Sequence, residues 1–388
     1  MESSSAPDPN AIMYFREGFG SDKTLSGEGY RRVAELLQEQ GVNVLVVRGN
    51  EKFDLESSMV LPLALNIERD GDSVHVTTTP TEEVPIGTTA IRTYGRDIDV
   101  GVESSQPNVI NTAKVREFDE KNKAYEFLGD LQPLTVVLEP TRLREQLKYI
   151  DTDTVVLKPV KSENSKGRLI VPKLELLDPD KFKTTVQADG TTHLLSSDGS
   201  IDLNLNLEHG YLLQELIDTK QPFPPEIANS VIQSCKDDYE SHKYDPKEVR
   251  LMLYWGDRKL IIPYARLFKP KEVSGIRTRD TEEDDWLLLD VQHHLPKELE
   301  DMATNIANGI LQRAGVNYLH GAVDVAWDGQ RWRVMELNMW FPVPPKYSLA
   351  REHGAEELAD VHRRSIADLL GDAARDANSR YKAANQET

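Results

Sequence analysis

GAVDVAWDGQRWRVMELNMWFP, residues 321–342, is the stretch whose reading decides the fold. Its alternation is that of two short strands joined by a tight turn at Trp327-Asp328-Gly329. Val323 and Val325 alternate with Asp324 and Ala326, and Val334, Glu336 and Asn338 alternate with Met335 and Leu337. Side chains two apart share a face of a strand. A two-residue Asp-Gly loop puts Asp324 opposite Arg333, on the wrong face. A three-residue loop ending in a left-handed Gly329 pairs Asp324 with Trp332, in phase with Glu336 and Asn338. The second register is preferred, because it gathers two carboxylates and an amide oxygen at one spot. Such a set suits a hard cation: magnesium takes oxygen ligands, one or two of them carboxylates, and fills its shell with water and phosphate. The ordinary alternative is a surface hairpin with solvated acidic side chains.

Working outward, 388 residues imply two or three domains. Lys and Arg total 46 against 65 Asp and Glu, a net charge of −19. That balance repels a phosphate backbone and sets nucleic acid aside as a partner. A phosphate-bearing small molecule would need a locally basic pocket. The single cysteine, Cys235, excludes an intrachain disulfide and lies in an amphipathic run, where it reads as packing. The N-terminal MESSSAPDPN has neither a basic nor an apolar leader region, and the best apolar run, MVLPLAL at 59–65, is too short to span a membrane. The expectation is a soluble, cytoplasmic protein without a membrane partner.

Residues 11–15 (AIMYF) read as a buried strand, Tyr30 to Gln40 as a helix with Val33, Leu36 and Leu37 on one face, and Val42 to Val47 as a second buried strand. Strand, helix, strand predicts a βαβ unit in a parallel sheet. The region from about 51 to 105 predicts hairpins and loops, and residues 117–130 a charged helix. Asp153 to Lys173, DTVVLKPVKSENSKGRLIVPK, predicts a strand ending at Lys158, a polar loop from Lys161 to Gly167 and a returning strand. Such a unit can fold over a triphosphate with Lys158 as a point charge; an ordinary hairpin with a solvent-facing lysine is the alternative. Gly210–Asp218 reads as a strand and Glu226 to Tyr239 as an amphipathic helix. Glu248–Trp255 and Lys259–Leu267 read as paired strands that carry Arg250 and Arg266. Lys297–Ala314 predicts a helix, and Glu356–Ala384 another, amphipathic up to about Leu370 and fraying after it.

In this order the pieces resemble the ATP-grasp superfamily, and within it the glutathione-synthetase-like peptide ligases, over roughly residues 108–342. NKAYEFLGDLQPLT places Lys123 at the family's first nucleotide lysine, and DTVVLKPV places Lys158 at the second. LLQELI supplies the hinge strand that meets adenine through Gln214, Glu215 and the backbone near Leu216. EVRLMLYWGDRKLIIPYARL resembles the arginine strand pair. Asp324, Glu336 and Asn338 fall on the magnesium ligands. The loop after Lys158 departs from the family: Ser162 and Ser165 accompany one glycine, Gly167, so serine hydroxyls take the place of backbone approach. Asp218 is the candidate ribose carboxylate. The glycine-rich substrate loop of glutathione synthetase is missing after Arg266.

The resemblance implies an α/β ATP-grasp fold: an N-terminal βαβ parallel-sheet domain (1–116), a central subdomain (117–213) and a C-terminal subdomain (214–388), the last two clamping the nucleotide. It implies an ATP-dependent carboxylate–amine ligase that works through an acyl-phosphate on small-molecule carboxylate and amine substrates such as amino acids or short peptides. It further implies one or two Mg²⁺, with Mn²⁺ as a substitute, Arg266 and Arg250 at the transferring phosphoryl group, and allows a homodimer. A small-molecule kinase on the same fold and a non-catalytic nucleotide binder stay open beside it. Arg277 and Arg279 in the polar loop 271–285 are candidate acceptor-site residues, with plain solvation as the alternative.

Overall fold

Ala11 to Met13 and Val44 to Val47 are buried, as strands in the middle of a parallel sheet must be. The computed structural model describes residues 9–16, 28–49, 59–70, 73–94, 109–160, 169–206, 210–217, 223–229, 247–267, 285–288, 295–339 and 356–386. The predicted βαβ unit is present as β1 (Asn10–Arg16), helix α1 (Glu28–Glu39) and β2 (Asn43–Gly49), with β1 and β2 parallel. The hairpin region contributes β3 (Met59–Val60), β4 (Leu63–Asp70), β5 (Ser73–Pro80), β6 (Val84–Pro85), β7 (Thr89–Tyr94) and β8 (Val109–Ile110). The six-stranded sheet runs β5-β4-β2-β1-β7-β8. It is parallel from β2 to β8, but β4 and β5 are antiparallel, so the sheet is mixed.

The central region holds β9 (Thr135–Val137), β10 (Thr154–Pro159), β11 (Leu169–Pro172), β12 (Phe182–Val186), β13 (Thr192–Ser196), β14 (Asp202–Asn204) and β15 (Tyr211–Glu215). One sheet is ordered β11-β10-β15-β9, and β12-β13-β14 form a meander beside it. Their shared core starts at Leu138 and includes Val155, Leu157, Leu194 and Leu213. Helix α2 (Lys121–Leu128) precedes this region in sequence but packs elsewhere. Phe118, Ala124 and Leu128 belong to the core of the C-terminal sheet.

That C-terminal sheet consists of β16 (Lys247–Trp255), β17 (Lys259–Leu267), β18 (Asp285–Leu288), β19 (Leu319–Trp327) and β20 (Trp332–Asn338), in the order β18-β17-β16-β19-β20. Helix α3 (Lys297–Ala314) has the predicted bounds and covers one face with Leu299, Ala303, Ile306 and Ile310. Of the helix expected over 226–239, Pro225–Asn229 is helical and the rest, Cys235 included, lies outside the described residues.

The other face of this sheet meets the N-terminal domain through helix α4 (Glu356–Gln386). Sequence reading expects α4 to fray after Leu370. It instead runs to Gln386, with Ala373, Ala374 and Ala377 buried. These alanines carry no apolar stripe in a hydropathy reading, yet their small side chains let the helix approach closely. Tyr254 on β16 meets His362 on α4, hydroxyl to Nδ1, at 2.5 Å. Burial pulls His362 down to about 3, so the ring is neutral and packs as an uncharged group. Asn111, in left-handed conformation at φ 60°, exchanges side-chain hydrogen bonds of 2.7 and 3.1 Å with the backbone of His320. It thereby ties β8 to β19.

Enlarging Ala374 should overpack the α4 interface. Ala374→Leu is expected to lower unfolding stability by about 1–3 kcal/mol, measured by chemical denaturation.

Candidate functional site

Three adjacent strands carry the site in one cross-strand row. Arg250 on β16 stands opposite Asp324 on β19, and Asp324 stands opposite Glu336 on β20. Asn338 is two residues further along β20, on the same face, and donates from Nδ2 to Asp324 Oδ2 at 3.1 Å.

Neither register foreseen for the hairpin is the one observed. Trp327 pairs with Trp332, so the loop is the four residues Asp328–Arg331, with Gly329 at φ 95°. Asp328 closes it, accepting from the backbone N–H groups of Gln330 and Arg331 at 2.8 Å each. Continued regularly, that loop would set Asp324 against Met335. A β-bulge between Asp324 and Val325 takes up the extra residue, so Val325 faces Val334 while Asp324 faces Glu336. The bulge resolves a conflict in the sequence. Val334 shares its period with Glu336, yet it is buried against α3 with Leu337 and Met339. A bulge turns one side chain to the other face at the cost of one ladder position. The three expected oxygen donors are therefore together, by a different route.

Asp324 is 1% exposed. Arg250 grips it bidentately, Nε to Oδ1 at 2.5 Å and Nη2 to Oδ2 at 2.6 Å. Burial works against the guanidinium charge, but Asp324 more than restores it and holds Arg250 well above its ordinary range. Glu336 and Asn338 are partly exposed. Two carboxylates and an amide oxygen form a hard-oxygen set that fits a magnesium-type ion. Among the described residues no group of three or more His, Cys, Asp or Glu gathers, at this site or elsewhere. Arg266 on β17 is registered opposite Glu248 and lies on the face of Arg250; its side chain is outside the described set.

Strands β10, β11 and β15 of the central sheet present one face through Val156, Lys158, Ile170, Leu212 and Gln214, aligned by the β10–β11 and β10–β15 registers. Gln214 is buried and donates to Thr135 Oγ1 at 2.7 Å. Glu215 Oε2 accepts the Leu134 N–H at 3.0 Å, and the Leu216 N–H reaches Thr154 O at 3.3 Å. The expected hinge residues thus tie β15 to the chain entering β9. Ser162, Ser165, Gly167 and Asp218 lie outside the described residues.

Of the two expected nucleotide lysines, the structure brings only Lys158 to this face. Lys123 points away, paired with Glu117 at 2.8 Å in a groove also lined by Lys114, Glu126 and Arg313. Its hydrogen bond to Glu117 raises its pKa. Lys121, unmarked in the sequence reading, reaches Pro159 O beside Lys158 at 3.2 Å. Residues two apart on a helix point to well-separated sides, and Lys-Asn-Lys gives no sequence signal to choose between them. Asp119, just before α2, accepts the Met339 N–H at the end of β20. The three residues from Asp119 to Lys121 therefore span from the metal-type hairpin to the Lys158 strand, a reach of roughly 10 Å. Arg333 fixes the chain on the other side of α2, donating to Asp130 O and Gln132 O at 3.2 Å each.

Removing Arg250 alone would leave the buried Asp324 carboxylate without its guanidinium partner. Arg250→Met is expected to cost about 3–5 kcal/mol of unfolding stability. Adding Asp324→Leu to it should recover most of the loss, measured by a denaturant double-mutant cycle.

No family model and no curated protein matches the sequence. Solved structures do. D-alanyl-alanine synthetase A from Vibrio cholerae O1 biovar eltor is similar at 11% identity and a TM-score of 0.49, covering 94% of this chain and 99% of that one. D-alanine–D-alanine ligase from Bacillus anthracis is similar at 14% identity and 0.49, over 96% and 99%. A RimK domain protein ATP-grasp from Sphaerobacter thermophilus is similar at 14% and 0.43, over 92% and 99%. Each likeness spans more than nine-tenths of both chains at 14% identity or less.

Proposed function

We propose that this chain is an ATP-dependent ligase that joins a carboxylate to an amine through an acyl-phosphate. The observation that carries the reading is the Arg250–Asp324–Glu336 row with Asn338 beside it, tied by a three-residue segment to the strand of Lys158. A carboxylate is a poor electrophile. Transfer of the γ-phosphoryl to one of its oxygens, with ADP leaving, turns that oxygen into part of a good leaving group. An amine then attacks the acyl carbon, and phosphate and a proton depart. Protein side chains contribute chiefly position and charge to such a transfer.

In this reading Asp324, Glu336 and Asn338 hold Mg²⁺, which when bound neutralises charge on the phosphates. Lys158 faces the α- and β-phosphates. The reach of Lys121 to Pro159 supports Lys121 over Lys123 as the second nucleotide lysine. Its pairing with Asp324 supports Arg250 as the residue that orients a metal ligand. Arg266, on the same face by register, is then the arginine for the transferring phosphoryl group. The substrates are small carboxylates and amines, of the amino-acid or short-peptide class.

ADP release from MgATP should require a carboxylate and an amine together, with mass spectrometry showing the condensed product. Release that needs only an alcohol would replace the ligase reading by a kinase. Glu336→Gln should abolish turnover with the fold intact. Lys121→Met should weaken MgATP binding roughly ten- to a hundredfold, while Lys123→Met should leave it within about twofold; titration calorimetry distinguishes them.

A further inference from the structure

The β4–β5 hairpin leaves the N-terminal sheet almost as soon as it joins it. Only Ala64 and Leu63 pair with β2. The rest of the hairpin, eight residues on each strand in unbroken register from Leu63↔Pro80 to Asp70↔Ser73, projects as a two-stranded ribbon. Isolated two-stranded ribbons are marginal in water and need a third strand or a covered face. This one is incompletely covered. Ile67, Val74 and Val76 share a face across the ribbon, and all three are only partly buried, Ile67 and Val76 against the α1–α4 core.

The outer edge of β5 is more telling. Among the described residues no strand pairs with it. Natural edges of this length are blunted by lysines, inward charges, bulges or prolines. Ser-Val-His-Val-Thr-Thr-Thr-Pro has none of these before its last residue. In an antiparallel ladder alternate residues turn their N–H and C=O groups to one side. With Asp70 and Ser73 closing the turn, Val74, Val76 and Thr78 present theirs outward. Pro80, next in the series, has no N–H to offer and ends the usable edge.

We propose that a second copy of this chain pairs with this edge, β5 against β5 about a two-fold axis at Val76. Antiparallel pairing of the strand with itself sets Val76 opposite Val76 and Val74 opposite Thr78. It satisfies about six outward backbone groups on each copy. The Val76–Val76 and Val74–Thr78 pairs are then of β-branched residues, which favour such neighbours. The apolar stripe of Ile67, Val74 and Val76 continues across the axis into its own image, as an isologous contact requires. Charge selects the copy as occupant: the chain carries −19 overall, yet β5 has no Asp, Glu, Lys or Arg, and its one titratable side chain is His75. It is a place where two acidic molecules can touch without like-charge repulsion. A ribbon of this size buries less than the roughly 1,200 Å² of a tight complex, so the dimer is concentration-dependent.

Sedimentation velocity over a wide concentration range should show the monomer passing into a species of twice its mass. Thr78→Pro removes one outward N–H without touching the β4 ladder. It is expected to abolish the dimer, with far-UV circular dichroism unchanged. Hydrogen exchange on the unmodified protein gives an independent reading. Amides of Val74, Val76 and Thr78 should gain protection at least tenfold as concentration rises, while those of His75 and Thr77, turned to β4, should not. A monomer at all concentrations with this edge fast-exchanging overturns the proposal and leaves the edge to another partner. A monomer with the edge protected throughout also overturns it, by showing that the chain covers its own edge. A dimer unaffected by Thr78→Pro assigns the contact to another surface and sinks the proposal as well.

Discussion

The buried pairing of Arg250 with Asp324 is the constraint on which the site depends. Withdrawing both charges from water is expensive, and their attraction repays it only because two short, parallel hydrogen bonds join them. Apolar residues of similar size would serve stability at least as well. What apolar residues cannot do is hold a carboxylate ionised and fixed in orientation inside a sheet. The pair keeps Asp324 fixed beside Glu336 and Asn338, so a cation held there, as proposed, would meet a prearranged set and would order fewer groups than a set of free side chains needs.

Precision at Asp324 would be lost if the hairpin were regular. The bulge beside it lets β20 serve two cores in seven residues. Val334 and Leu337 fill the α3 side, while Glu336 and Asn338 reach the opposite face. That opposite face is itself divided. Toward one end Met252, Tyr254, Ile262 and Tyr264 lie under α4 and the N-terminal domain. Toward the other lie Glu248, Arg250, Asp324 and Glu336. One sheet surface thus works as a domain interface over half its area and as a polar site over the rest, and α4 marks the border.

Much of this was legible in the sequence where periodicity speaks plainly. The 18 residues of α3 were placed to the residue, because caps and apolar spacing agree there. The paired arginine strands and the grouping of Asp324, Glu336 and Asn338 were legible because chemistry and alternation coincide. The register was not, since a bulge leaves no mark when both of its neighbours are ordinary strand residues. Lys121 was hidden by Lys123 for a similar reason: direction around a helix depends on what the helix packs against, and Phe118, Ala124 and Leu128 face a core supplied by residues far along the chain. The burial of Ala373, Ala374 and Ala377 escaped for want of hydropathy contrast.

The segment from Asp119 to Lys121 shows how these partial readings join. Its side chains hold the end of β20 and the end of β10, and Arg333 holds the carbonyls that follow α2. The central sheet therefore attaches to the C-terminal sheet through a connection fixed at three points within fifteen residues, rather than through a free linker. The second connection, at Glu215 and Leu216, is laced to Leu134 and Thr154. The first lacing ties the central sheet to the C-terminal one, and the second braces β15 against β9 and β10, so the strand that carries Lys158 is held at both of its ends.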